Sequence, residues 1–402
     1  MNYKKPNIFF YRLTQGFAWF VATFVFHRKF IRNEIKGKKE PFVVIANHQA
    51  KLDFTTLIGA TSRPMSIVVS NSFYQSMPIK KLLDYLGMIP KQQFQTTIGD
   101  MKRMKSVIDH GEILVLYPAG LMCENGLSTP IPAATYKFLK LLNADIYVAR
   151  VTGTYFAMPK WANTLRPGKT YLDIYKLFSK EELSSSSVSE IQQKADEALL
   201  FDAYREQEQH KIRYKNCENL EGLENVLYQC PHCKTEFSIK IKDKKTIFCT
   251  NCGYELFSDE YGFLHSLKES GSNLRYVSDW SNMIYDSLRA QIKVNLNMTL
   301  ETNTKIHMID YDKHAFVDVG YGKVSLCRQH FLINGQISDK PVTLQFPITN
   351  IPCLPFEPGK YLEIQHGQDI YRCVLDDGRL VMKYINMIKI FYELNQTTSE
   401  PS

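Results

Sequence analysis

Apolar runs alternating with helical patterns from Phe42 onward predict a layered α/β domain with a mostly parallel sheet. Two Cys-x-x-Cys pairs, one at Cys230 and Cys233 and one at Cys249 and Cys252, predict a small four-cysteine ribbon behind it. Short alternating runs punctuated by glycines after residue 300 predict a mainly β C-terminal domain. With 402 residues and 44% apolar content the chain can build two or three cores, which excludes a disordered protein. The expected divisions are 1–40, an N-terminal helical segment; 41–210, the α/β domain; 225–260, the ribbon; and 275–395, the β-rich domain ending in a helix.

The first segment holds fourteen uncharged residues between Arg12 and His27, including Phe17, Trp19, Phe20, Phe24 and Phe26. Such a run is too short to span a bilayer as an ordinary helix and has no small-residue cleavage site. Its flanks are basic only, at Lys4, Lys5, Arg12, Arg28, Lys29 and Arg32, which suits a helix lying among lipid headgroups. A helix covering the sheet is the other reading. A formal charge of +8, from 49 basic and 41 acidic residues, fits a surface resting on anionic lipid or holding a phosphorylated donor. Nine cysteines, five of them outside the two pairs, point to a reducing compartment with a metal site.

Within the α/β domain, Phe42–Ala46 reads as a buried strand, with Asn47 and His48 in the turn after it and a helix starting near Asp53. His48 and Asp53 are five apart, about 140° around a regular helix, so they meet only if His48 precedes that helix. In that arrangement the carboxylate fixes the imidazole tautomer and leaves the other nitrogen to accept a proton from a hydroxyl. Met65–Val69 is a second strand, and Ile79–Leu86 a helix stopped by Gly87. Thr97–His110 carries an amphipathic stripe, and Glu112–Tyr117 is a strong strand delivering Tyr117, Pro118, Ala119 and Gly120 to the edge where His48 lies. A helix over 133–142, a strand over 146–151 and another over 170–177 follow. Ser187-x-x-Glu190 is a capping box opening a helix from about Val188 to Gln209.

The sequence Asn47-His48-x-x-x-x-Asp53 after a strand resembles the first motif of the glycerophosphate and lysophosphatidate acyltransferase family, and the resemblance extends over about residues 1–210. Gly87-Met-Ile-Pro-Lys91 resembles the second motif, with Lys91 where an arginine near the acceptor phosphate is usual; a lone surface lysine is the alternative. Tyr117-Pro118-Ala119-Gly120 resembles the third, but Ala119 replaces its glutamate and Met122 its arginine. Losing that arginine removes a phosphate contact of roughly 1.5–3 kcal/mol. Val148-Ala-Arg150-Val151 stands at the fourth motif, with Arg150 either a replacement anion holder or an edge-strand arginine facing solvent.

The two cysteine knuckles, fifteen residues apart, have the spacing of a four-cysteine zinc ribbon, with a hairpin over 237–242 and 246–248 between them. Four thiolates close the coordination shell, so Zn2+ would be structural. Lysines and phenylalanines nearby leave nucleic-acid binding as a minor alternative to a docking role. Farther on, Ser278 caps a helix over 279–294 with Trp280, Ile284, Leu288 and Ile292 on one stripe. The order of short strands and a final helix resembles a pleckstrin-homology-type domain.

The resemblance implies a peripheral or monotopic enzyme of phospholipid biosynthesis at the cytoplasmic face of a membrane. It would move a fatty acyl group from an acyl thioester, acyl-CoA or acyl carrier protein (acyl-ACP), to a hydroxyl of a lipid or lysolipid acceptor. His48 would be the general base, Asp53 its orienter and Asn47 or backbone amides the oxyanion donors, with Gly87, Lys91, Tyr117, Pro118, Gly120 and Arg150 around the substrate. A protein partner would dock on the ribbon or the C-terminal domain. Loss of the third-motif charges leaves a lipid-sensing scaffold as the other reading.

Overall fold

In the computed structural model, which describes residues 3–93, 97–266 and 274–397, the chain divides into two units. The first is Met1–Lys160 with Thr164–Cys217, and the second Glu218–Ser402 with Trp161–Asn163. The four cysteines and the C-terminal sheet therefore share a unit.

The first unit is built on seven strands: β1 (Lys29–Asn33), β2 (Phe42–Ala46), β3 (Met65–Ser70), β4 (Ile89–Lys91), β5 (Ile113–Leu116), β6 (Asp145–Thr152) and β7 (Tyr171–Phe178). They lie in the order β1-β7-β6-β2-β5-β3-β4. From β6 to β4 every pairing is parallel, so the C-terminal ends of these strands share one edge. β7 runs antiparallel to β6, and β1 pairs with β7 in parallel.

Residues of β2 and β5 are all buried because helices cover both faces of a parallel sheet. Alternate side chains feed two cores: Val43, Ile45, Leu114 and Leu116 on one face, Phe42, Val44, Ile113 and Val115 on the other. Each such burial is worth roughly 1.5–3 kcal/mol, which fixes the strand register. β1 went unread in the sequence because four of its five residues are exposed at the sheet's rim. The helix expected over 188–209 is two helices, Val188–Leu199 and Ala203–His210. Leu200 is extended between them and the Asp202 side chain caps the second by accepting from Tyr204 N and Arg205 N, so the chain turns there.

The N-terminal helix runs Ile8–Phe20 and continues as a π turn over Val21–Val25. It starts before the uncharged run because Asn7 caps it, accepting from Phe9 N and Phe10 N. Ile8–Val25 spans 18 residues with mean hydropathy 1.2, long and apolar enough by length and composition to cross a membrane, where the sequence suggested a segment too short to do so. One face is tied down: the Tyr11 hydroxyl accepts from Met65 N, and Gln15 Nε2 donates to Ile58 O and Thr61 O. The other exposes Phe9, Leu13, Phe17, Trp19, Phe20 and Phe24, each by more than half.

The second unit contains a four-stranded antiparallel sheet, including the expected hairpin β8 (Ile239–Lys242) and β9 (Thr246–Cys249), then β10 (Glu255–Ser258) and β11 (Leu264–Ser266). A seven-stranded antiparallel sheet follows. Its β13 (Ala315–Leu326), preceded by β12 (Leu300–Asp310), is one long strand where the glycine-punctuated pattern suggested short runs. Gly320 and Gly322 lie inside it because a Cβ at either would meet the backbone of the next strand, β14 (His330–Ile337), within 2.4 Å. Helix Val277–Val294 buries the predicted stripe, but Ser278 is inside it rather than capping it.

Candidate active site and cysteine cluster

Where β2 ends, the Asn47 side chain clamps the neighbouring strand, donating through Nδ2 to Val151 O at 2.7 Å and accepting at Oδ1 from Val151 N at 2.8 Å. One Nδ2 proton and Oδ1 are thereby committed to the clamp, leaving the second Nδ2 proton of a residue that also lines the cavity beside His48. The clamp anchors the next residue. His48 Nδ1 lies 3.0 Å from Asp53 Oδ2, which also accepts from Gln49 N at 2.7 Å and Ala50 N at 2.9 Å. Asp53 opens helix Asp53–Ile58 and is fully buried, whereas the His48 side chain keeps 22% of its surface exposed. With Nδ1 donating to the carboxylate, Nε2 is left free to accept a proton, and no partner occupies it among the described residues.

From the end of β5, the Tyr117 ring packs on the His48 ring with centroids 4.4 Å apart. Burial and the Asp53 charge push the Tyr117 hydroxyl well above its ordinary range, keeping it a phenol. Gly120 takes a left-handed φ of +71° in the following turn, and its carbonyl accepts from Gln93 Nε2.

Beside His48 a cavity of about 390 Å³ opens. His48, Pro118, Ala119 and Leu121 form one wall, and Ser128, Gln192, Asp196, Leu200 and Phe201 contribute to the other. The second wall went unread in the sequence. Its capping box announced a helix, but only the chain turn at Leu200 and the bond from Ser128 N to Phe201 O bring those residues to the site.

Three other candidates sit elsewhere. Arg150 donates from Nη2 to Glu206 Oε1 at 2.6 Å, on a strand with neighbours on both sides. It is neither a poised anion holder nor an edge residue. Gly87 has φ +70°, and a Cβ there would meet Pro6 at 2.7 Å, so its role is close packing rather than substrate contact. Lys91 ends β4 on the shared strand edge, largely dehydrated, with no hydrogen bond or ion pair among the described residues; burial lowers its pKa, opposed by Asp100.

Residues 24–153 match the family described as Acyltransferase. Those residues are an acyltransferase domain. Acyl transfer is accordingly the enzyme class of this chain, and the matched span contains the His48–Asp53 pair and the Tyr117–Gly120 turn. No curated protein matches the sequence. Among solved structures it is similar to the 1-acyl-sn-glycerophosphate (LPA) acyltransferase PlsC from Thermotoga maritima, at 18% identity and a TM-score of 0.40, over 51% of this chain and 78% of that one.

In the second unit the Sγ atoms of Cys230, Cys233, Cys249 and Cys252 all lie within 4.8 Å of one another. Cys230–Cys252 and Cys233–Cys249 are each 3.7 Å apart, against about 3.8 Å for the edges of a tetrahedron with 2.3 Å Zn–S bonds. Hydrogen bonding with the Thr235 and Asn251 side chains pulls the Cys233 thiol down, whereas burial pushes the Cys230 and Cys252 thiols up.

Proposed function

We propose that this acyltransferase works at a membrane surface, moving a fatty acyl group from a thioester of coenzyme A or acyl carrier protein to a hydroxyl of a lipid or lysolipid. The observation that carries the reading is the His48 Nδ1–Asp53 Oδ2 contact at 3.0 Å on the wall of the cavity. His48 Nε2 takes the acceptor's hydroxyl proton as its oxygen attacks the thioester carbonyl. The tetrahedral intermediate then expels the thiolate, which receives the proton back from the imidazolium, giving an ester and a free thiol. Stabilisation of the oxyanion falls to backbone N–H groups or to the second Nδ2 proton of Asn47, the first being committed to Val151.

The exposed aromatic face of the N-terminal helix and the net positive charge support docking on anionic lipid. Lys91 is suited to an anionic group of either substrate, as a point charge. The four cysteines would hold one Zn2+ with no open coordination position, a folding element rather than part of the reaction. The strand-rich remainder of that unit, ending in helix Leu380–Thr397, suits a pleckstrin-homology-like docking module for a protein partner. Acyl transfer from labelled acyl-CoA or acyl-ACP to lipid acceptors tests the reading. His48→Ala should lower turnover about 100- to 10,000-fold, and an unchanged rate removes His48 from the chemistry.

A further inference from the structure

We infer that the cavity beside His48 receives the acceptor's head, and that this head is uncharged, a glycerol- or sugar-like hydroxyl group rather than a phosphomonoester. The inference rests on the acyl-transfer reading and names its acceptor class. Among the described residues none that lines the cavity is lysine or arginine, and apart from His48 the only basic or carboxylic side chain in its wall is Asp196. The Tyr136 hydroxyl donates to Asp196 Oδ1 at 2.5 Å, and burial together with that carboxylate pushes Tyr136 well above its ordinary range, so it stays a donor. A phosphate dianion entering here would meet a carboxylate and no compensating cation.

What the wall offers instead is neutral. The side chains of Ser128, Thr129 and Gln192 line the cavity, and none has a hydrogen-bond partner among the described residues. Unused hydroxyls and an amide beside apolar surface match a polyol, which both donates and accepts, and match a hydrocarbon chain poorly. Ala119, with its single methyl, leaves room where a longer side chain would project.

Lys91, which makes no ion pair among the described residues, lies on the opposite flank. The cavity is bounded by helix Val188–Leu199, which packs against β6 on one side of β2. Lys91 ends β4 on the other side, across β5 and β3, roughly 14 Å away at ~4.8 Å per strand.

The test uses the full chain and two probes with the same acyl chain in the same detergent micelles, 1-monoacylglycerol and 1-acylglycerol 3-phosphate. Equilibrium binding is measured on the His48→Ala protein and kcat/KM on the unaltered one. Monoacylglycerol should be favoured roughly 100-fold, the scale of two missing charge-assisted contacts. Asp196→Asn should narrow the ratio about 3- to 10-fold. Ala119→Leu should raise the acceptor KM without changing the preferred donor chain length. Equal or tighter binding of the phosphorylated probe overturns the inference. So does an Ala119→Leu protein that shortens the preferred acyl chain and leaves acceptor binding intact, since the cavity would then be the acyl slot. Selective binding of monoacylglycerol with no ester formed from either thioester supports the inference while refuting the acyl-transfer reading.

Discussion

Replacing Asp53 by asparagine separates the charge of its pair with His48 from the geometry. Oδ2 receives three donors, His48 Nδ1 at 3.0 Å, Gln49 N at 2.7 Å and Ala50 N at 2.9 Å, while Oδ1 is buried without a partner. An amide oxygen in the Oδ2 position keeps all three, so the turn survives and only the charge is lost. A hydrogen bond to a charged group is worth about 1.5–3 kcal/mol, against about 1 kcal/mol for a neutral one. The transition state, in which the imidazole becomes cationic, should therefore lose about 0.5–2 kcal/mol, or roughly 2- to 30-fold in kcat/KM. Because Asp53 acts through His48, the double variant with His48→Ala should fall no further than His48→Ala alone. The assay follows thiol release and ester formation with the purified full chain. Asp53→Ala is less informative, since it orphans two buried backbone N–H groups at about 1–3 kcal/mol each. A wild-type rate in Asp53→Asn, or losses that multiply in the double variant, would refute the coupling.

Asn47→Ala orphans the Val151 N–H and C=O and should destabilise the first unit by about 2–4 kcal/mol, measured by denaturant unfolding; turnover of the surviving folded protein within about threefold of wild type assigns the oxyanion to backbone N–H groups, and a larger loss assigns it to the second Asn47 N–H. Cys249→Ser should lower bound zinc to background in a metal assay and reduce the melting temperature of the second unit. Changing Phe17, Trp19 and Phe24 together to serine should weaken binding to anionic vesicles by at least about tenfold, read by co-sedimentation, because each buries roughly 1.5–3 kcal/mol of apolar surface in a headgroup layer. A lysine whose pKa is lowered by folding binds fewer protons folded than unfolded, so it adds stability as pH rises from its folded value toward 10.5. Lys91→Met should raise stability at neutral pH and flatten the rise of stability with pH below 10.5 in chemical unfolding.

Strand Phe42–Ala46 was legible to the residue because every position is apolar or small and Pro41 precedes it. The helix from Val277, its buried stripe and the cysteine hairpin were legible for the same reason, local pattern and spacing. β1 was not, since its pairing with β7 depends on partners 140 residues on, including Arg32 with Asp173. Arg150 misled because a charged residue within an apolar strand reads as functional until its partner Glu206 is known.

From the chain alone came the proton-transfer pair as candidates, the missing third-motif charges and the clustering of the four cysteines, because each depends on residue identity and short spacing. Only tertiary structure decided that Asn47 is a strand clamp, that Arg150 is occupied and that the space beside His48 is walled by Asp196, Gln192 and Leu200. Those contacts join residues some fifty to 150 positions apart, and no local periodicity carries information about which distant carboxylate or carbonyl a side chain will meet.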